Sequence, residues 1–278
     1  MKIIRWDLLD SPESTRTINR LCTQSKGLAL TIGGFDGPHV GHQALFNAVI
    51  DVSREHNLTP ALVTFIRSPG ALTRSSGYPG DVSTLQLRLA AFERAGFSLA
   101  ILIDFSPDFG KMSGGVFFEI LVKTVRMRYL AVGPDFRCGH RLDTGVAQIE
   151  AISRKDGFRF DSIRQIEIDG LRVSSSAIRK AVQSADFALA ERFLGHPFLL
   201  DFTTQGWSSS GNAYKAKRED FSQILPGSGR YAVTVFWKNG ENVSAYLEIE
   251  GLFVSLSPQE GDHLPPADQI ETVQFRLS

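Results

Sequence analysis

Residues 31–42 read Thr-Ile-Gly-Gly-Phe-Asp-Gly-Pro-His-Val-Gly-His, and no other stretch constrains this chain as tightly. Before it, Leu28–Ile32 is a short apolar run with the character of a buried strand. After it, Gln43–His56 carries Ala44, Leu45, Ala48, Val49 and Val52 at helical spacing. A strand that ends in paired glycines and hands over to a helix lets a ligand come close to the backbone. The helix start adds unpaired N–H groups and the positive end of the helix dipole, which together attract an anion. His39 and His42 add imidazole donors there, and Gly41 between them leaves room for a bulky triphosphate. Two other readings stay open at this point. The histidines are surface or capping residues, or they join Cys138 and His140 around a metal, for which no Cys-x-x-Cys or His-Glu-x-x-His pattern speaks.

The flanking sequence repeats the strand-helix rhythm. Strands are expected at Pro60–Phe65, Leu99–Ile103, Tyr129–Val132 and near Phe158–Ile168, with helices at Thr84–Ala95, Val116–Val125 and Val146–Lys155. That alternation predicts a parallel sheet covered on both faces and joined by right-handed crossovers. Ligands of such sheets bind beyond the carboxyl ends of the strands, where residues 33–42 fall. A helical stretch Ser174–Leu194 closes this part, and Gly195-His196-Pro197 reads as a stop signal. Beyond it the pattern turns to alternation in Tyr231–Trp237, Val243–Ile249 and Thr272–Leu277, with Asn239-Gly240 as a hairpin signal. Gly206–Gln223, polar and rich in glycine and serine, is expected as a loop. The fold class is therefore α/β: a Rossmann-like domain over residues 1–196 and a small antiparallel, barrel-like β domain over 197–278.

Charge and composition narrow the partners. Thirty basic and thirty acidic residues cancel, so bulk-charge binding to nucleic acid is not expected. No apolar stretch approaches a membrane span, and the first ten residues, with Lys2, Arg5 and Asp7, lack the apolar core of a signal peptide. Two cysteines, Cys22 and Cys138, make no disulfide framework. A cytoplasmic protein with small-molecule partners is the expectation; the sequence says nothing of oligomeric state.

His39-Val40-Gly41-His42 matches the His-x-Gly-His signature of the adenylyl- and cytidylyltransferase superfamily, and the wider stretch Gly33–His42 resembles the amino-terminal domain of bacterial FAD synthetases. Three further segments resemble that family in order: Val132–Gly139, Val173–Arg179 and Ala190–Phe198. The resemblance implies a nucleotidyltransferase that moves AMP from ATP to FMN, with Mg²⁺ bridging phosphates and no residue ligating a metal directly. It implies that His39, His42 and Arg179 act in catalysis, and that Gly33, Phe35, Asp36, Gly41, Ser175 and Ser176 bind ATP. Phe65, Arg67, Pro69, Asp135 and Phe136 would face the flavin.

The chain departs from the family at two flavin-side positions. Arg67-Ser68-Pro69 stands where Pro-His-Pro is frequent, and Cys138 replaces an aromatic residue. Arg67 and His140 could take the FMN phosphate instead. Leu225–Val233 resembles a strand of the family's kinase domain, but the Pro-Thr-Ala-Asn motif is missing and no Pro-Thr pair occurs in the chain. Riboflavin kinase activity is thus expected to be lost, with Glu248 and Glu250 read as exposed strand residues. The competing readings are transfer to another phosphorylated acceptor and a flavin- or nucleotide-binding protein without catalysis.

Overall fold

A computed structural model describes residues 1–68 and 77–277. They form two compact units, one from residues 1–68 and 89–167, the other from 77–88 and 168–277. In the first unit the strands are β1 (Lys2–Arg5), β2 (Leu28–Ile32), β3 (Thr59–Phe65), β4 (Leu99–Ile103), β5 (Met127–Val132), a small ribbon of β6 (Arg137–Cys138) with β7 (Thr144–Gly145), and β8 (Arg159–Ser162). Six of them make a sheet in the order β1-β4-β3-β2-β5-β8. Every neighbouring pair is parallel. Every residue of β2 and β4 is buried, as a sheet covered on both faces demands.

The order contains a reversal. From β2 the chain crosses to β3 and then β4 on one side, whereas β5 and β8 lie on the other. The crevice beyond the carboxyl ends of β2 and β5 is the topological switch point. Helix Val40–His56 crosses from β2 to β3, ending where Asn57 takes the left-handed conformation (φ 55°). Helix Gly114–Lys123 starts at Ser113, whose hydroxyl accepts from Val116 N. Its Phe117, Phe118 and Leu121 join Leu30, Ile101 and Leu130 in the core.

A short ribbon of β9 (Glu167–Ile168) and β10 (Leu171–Arg172) follows. The second unit holds β11 (Leu199–Asp201), β12 (Ser208–Ser210), β13 (Ala213–Lys217), β14 (Gly229–Trp237), β15 (Asn242–Glu250), β16 (Phe253–Pro258) and β17 (Ile270–Phe275). They form one antiparallel sheet, β11-β17-β14-β15-β16-β13-β12. Val233, Val235, Leu247, Ile249, Leu256 and Val273 are buried at two-residue spacing. The expected turn at Asn239-Gly240 joins β14 to β15, with Gly240 at φ 85°.

The compact units divide at 167/168, ahead of the change of sequence pattern at 196/197. Helices Ser175–Gln183 and Phe187–Leu194 belong with the second unit: Phe187–Leu194 packs on its sheet, and Ser175–Gln183 packs on Phe187–Leu194. Phe187 stacks on Phe275 at 4.5 Å and meets Tyr231 edge-on at 5.7 Å. The single helix expected over Ser174–Leu194 is broken at Ala185, which is left-handed (φ 59°), and Asp186 caps the second piece. The strand expected near Phe158–Ile168 is interrupted between β8 and β9. The expected loop Gly206–Gln223 contains the edge strand β12 and its neighbour β13; their serines and lysines gave no apolar period to read. A buried polar network ties residues 82–84 to this sheet. Gln223 Nε2 donates to the carbonyls of Val82 and Leu199, both at 3.0 Å, and its Oε1 accepts from Asp201 N at 2.7 Å. The Thr84 hydroxyl donates to Asp201 at 2.5 Å.

Candidate active site

The turn between β2 and helix Val40–His56 folds as its sequence dictates. Gly33 N donates to the Val63 carbonyl at 3.1 Å, extending the β2–β3 pairing. Phe35 then adopts a left-handed backbone (φ 44°), a conformation few non-glycine residues take, and buries its ring to 2% exposure. That ring fills the space at Gly33: a Cβ there would lie 2.8 Å from it. Phe35 meets His42 edge-on at 5.1 Å and Phe46 and Phe92 at 5.2 and 5.9 Å. It therefore supports the histidines from the core side. Asp36 is buried beside it.

His39 occupies the N-cap of the helix, and its Nδ1 accepts from His42 N at 3.3 Å. An accepting Nδ1 leaves the proton of the neutral ring on Nε2, so Nε2–H is the free donor face. The two imidazoles stack with centroids 3.6 Å apart. Burial pushes the His39 pKa down to about 4. The His42 pKa lies well below its ordinary value, through burial first and then the neighbouring His39, with the Gly37 carbonyl opposing. His42 Nδ1 is buried without a hydrogen bond of normal geometry among the described residues. At neutral pH the pair is uncharged and offers N–H dipoles to an arriving polyanion.

Beside this turn opens a largely apolar cavity of about 360 Å³. Its floor is Ile32, Gly33 and Gly34, past the end of β2, and its walls come from Phe65, from Phe105 and Phe109, and from Phe136–Gly139 past β5. Gly34 is pinned by the Thr64 hydroxyl, which donates to its carbonyl at 3.2 Å. Burial raises the Cys138 thiol to about 12, so it stays protonated and packs as a small apolar group.

Of the expected flavin-side residues, Phe65 and Phe136 line this cavity. Asp135 is exposed and accepts from Gln165 Nε2 at 2.5 Å. Arg67 is mostly exposed and lies 3.9 Å from Asp104. His140 Nδ1 faces the Gly110 carbonyl at 3.0 Å. Pro69 lies outside the described residues. Ser175, Ser176 and Arg179 belong to the second unit. There Ser174, not Ser175 or Ser176, caps the helix, accepting from Ala177 N. Arg179 donates through Nε to the Gly80 carbonyl at 2.8 Å and through Nη2 to the Tyr78 hydroxyl at 2.9 Å. The described residues bring together no group of three or more His, Cys, Asp or Glu suited to a metal. The sequence reading missed the cavity walls contributed by Phe105, Phe109, Phe117 and Leu142. A signal existed: Phe105 and Phe109 follow the end of β4 within six residues, ahead of the helical pattern that begins near Val116.

The FAD synthetase family model matches residues 22–177. The chain is 31% identical over 220 residues to a bifunctional riboflavin kinase/FMN adenylyltransferase of Haemophilus influenzae, covering 78% of this chain and 71% of that one. It is 30% identical over 214 residues to the Escherichia coli protein of the same name, covering 76% and 68%. Among solved structures, a macrolide-efflux protein from Streptococcus pneumoniae shares the fold at a TM-score of 0.74 and 20% identity, over 90% of this chain and 92% of that one. The chain belongs to the FAD synthetase family.

Proposed function

We propose that the chain is an FMN adenylyltransferase, a nucleotidyltransferase that makes FAD and pyrophosphate from ATP and FMN. One observation carries this reading furthest. A neutral imidazole pair at a helix start and an aromatic-walled cavity adjoin the same strand end, in one unit. The first suits a triphosphate and the second a flat apolar ring system.

In the proposed reaction an FMN phosphate oxygen attacks the α-phosphorus of ATP. The bond from that phosphorus to the bridging oxygen breaks, and pyrophosphate leaves. The nucleophile is already anionic at neutral pH, so no general base is required. The protein's task is positioning and charge stabilisation. His39 and His42 donate N–H groups to phosphate oxygens, with the first N–H groups of helix Val40–His56 beside them. Gly33, Asp36 and Gly41 shape the ATP side. Phe35 acts through His42, on which it packs. Ser175, Ser176 and Arg179 keep their phosphate role on the family resemblance alone. Phe65 and Phe136 take the flavin ring, Arg67 and Asp135 its polar parts, and Pro69 remains assigned to this side on the family resemblance. Mg²⁺ would enter with ATP and would neutralise charge developing on its phosphates.

Riboflavin phosphorylation is not part of this activity. The second unit carries no Pro-Thr pair, and Glu248 and Glu250 lie exposed on β15. The two cysteines are free thiols, which fits work in a reducing cytoplasm. No helix among the described residues is long and apolar enough to cross a membrane. The test is chromatography of purified chain incubated with ATP, Mg²⁺ and FMN, and separately with riboflavin. FAD from FMN and no FMN from riboflavin are expected. Pyrophosphate release without FAD on a panel of other phosphorylated acceptors would move the assignment to one of those. Absence of all turnover would leave a binding protein.

A further inference from the structure

We propose that Asp143 is a positioning residue for the acceptor: its carboxylate clasps the loop between β6 and β7 to the start of helix Gly114–Lys123, holding Gly139 and Leu142 as one wall of the aromatic cavity. The proposal deepens the FMN reading above and rests on it.

The loop is held in an unusual conformation. Gly139, Arg141 and Leu142 have φ of 82°, 55° and 59°. Two adjacent non-glycine residues in the left-handed region persist only where the surroundings over-determine them. The main determinant is Asp143, whose Oδ1 accepts from Gly114 N at 3.0 Å and from the Thr144 hydroxyl at 2.8 Å. His140 N donates to the Met112 carbonyl at 2.8 Å, and Leu142 N to the Gly139 carbonyl at 3.0 Å. Arg137 Nη1 reaches the Leu142 carbonyl at 3.4 Å.

The fit around the carboxylate is close. A Cβ on Gly139 would stand 2.1 Å from Asp143 Oδ1 and 2.3 Å from Gly114 N. A Cβ on Gly114 would stand 2.1 Å from the Thr144 hydroxyl oxygen. Two glycines thus make room for one carboxylate at the junction of two cavity walls, residues 109–112 and 136–142. The clasp holds Leu142 at the cavity while 56% of it is exposed. An apolar side chain fixed in that position gains burial when a flat ring enters the cavity. Asp143 Oδ1 packs against Gly139, which lines the cavity, and its backbone continues directly from Leu142, so its effect falls on acceptor affinity.

The test compares Asp143→Ala, which removes the acceptor oxygen, with Asp143→Asn, which retains one for Gly114 N and Thr144. Asp143→Ala is expected to raise the KM for FMN about tenfold, the loss of a hydrogen-bonded clasp, with kcat and the KM for ATP within twofold of the parent. Asp143→Asn is expected to restore most of the FMN affinity. Tryptic cleavage after Arg141 reads the clasp without turnover, and is expected to quicken several-fold in Asp143→Ala and to slow when FMN is added. An unchanged cleavage rate overturns the clasp. Faster cleavage with an unchanged FMN KM, or with kcat and both KM values damaged alike, overturns its role toward the acceptor. If the parent chain makes no FAD, the FMN reading falls by itself. Quenching of FMN fluorescence on binding then replaces KM, and equal quenching by parent and Asp143→Ala overturns the proposal.

Discussion

The two units solve the same burial problem in opposite ways. In the first, a parallel sheet covered on both faces makes whole strands apolar; Leu28, Leu30, Ile101 and Leu130 are fully buried. Its polar chemistry is pushed to the strand ends, where the backbone must turn and glycines gather. In the second, an antiparallel sheet alternates, so the charged residues Glu248 and Glu250 follow the buried Leu247 and Ile249 in turn along the strand itself. A charged residue at a strand end of the first unit is therefore informative, whereas one on a strand of the second is an expected consequence of the sheet. Reactivity should consequently be concentrated in residues 33–42 and the cavity beside them, and nearly absent from β14–β16.

The largest effect that tests this contrast is His42→Ala. Loss of a preorganised donor to the reacting phosphates should slow FAD formation a hundred- to a thousand-fold, about 2.7–4 kcal/mol, with an unchanged circular dichroism spectrum. Next is pH. His39 titrates near 4 in the folded chain, below the ordinary value of 6.5 expected when unfolded. Between those values the unfolded chain binds the extra proton, so its contribution is present above pH 6.5 and is lost as pH falls toward 4. That contribution amounts to roughly 3 kcal/mol. His39→Asn keeps a capping side chain and should flatten that limb of the stability profile in urea titrations. An unaltered limb would mean that His39 is not the buried neutral ring described here. Gly33→Ala should cost about 1–3 kcal/mol of stability by pressing a methyl group on the Phe35 ring, and should lower activity through the displaced histidines. The smallest effect belongs to the second unit: Glu248→Gln and Glu250→Gln should stay within about 0.5 kcal/mol of the parent and leave FAD formation unchanged. A large loss of activity there would break the comparison.

What the sequence made legible follows the same division. Strands β2 to β5 and the helix after β2 stood out because apolar runs and a single helical face are local signals. The histidine pair stood out because its spacing places both rings on one turn. β1 did not, since Lys2–Arg5 is a short edge strand whose only buried residue is Ile4. β12 and β13 did not, because these last two strands of the sheet carry serine and lysine without an apolar period. The cavity was half legible. Phe65 and Phe136 sit in recognisable segments, whereas Phe105, Phe109 and Leu142 reach it only because β4, β3, β2 and β5 lie in that order in one parallel sheet. Phe35 shows the limit from the other direction. Its place in the motif assigned it to the ATP side, but no local signal told that its backbone would be left-handed or its ring buried.

The account's central claim is that the two imidazoles at the end of β2 receive the triphosphate. Nitrogen-15 spectra of the chain labelled at its six histidines test it directly, recorded with and without a non-hydrolysable ATP analogue and Mg²⁺. The account predicts that the Nε2 signals of His39 and His42, assigned by single substitution, shift on binding while those of the other four stay in place. Saturable binding of the analogue that leaves both signals unmoved would contradict it.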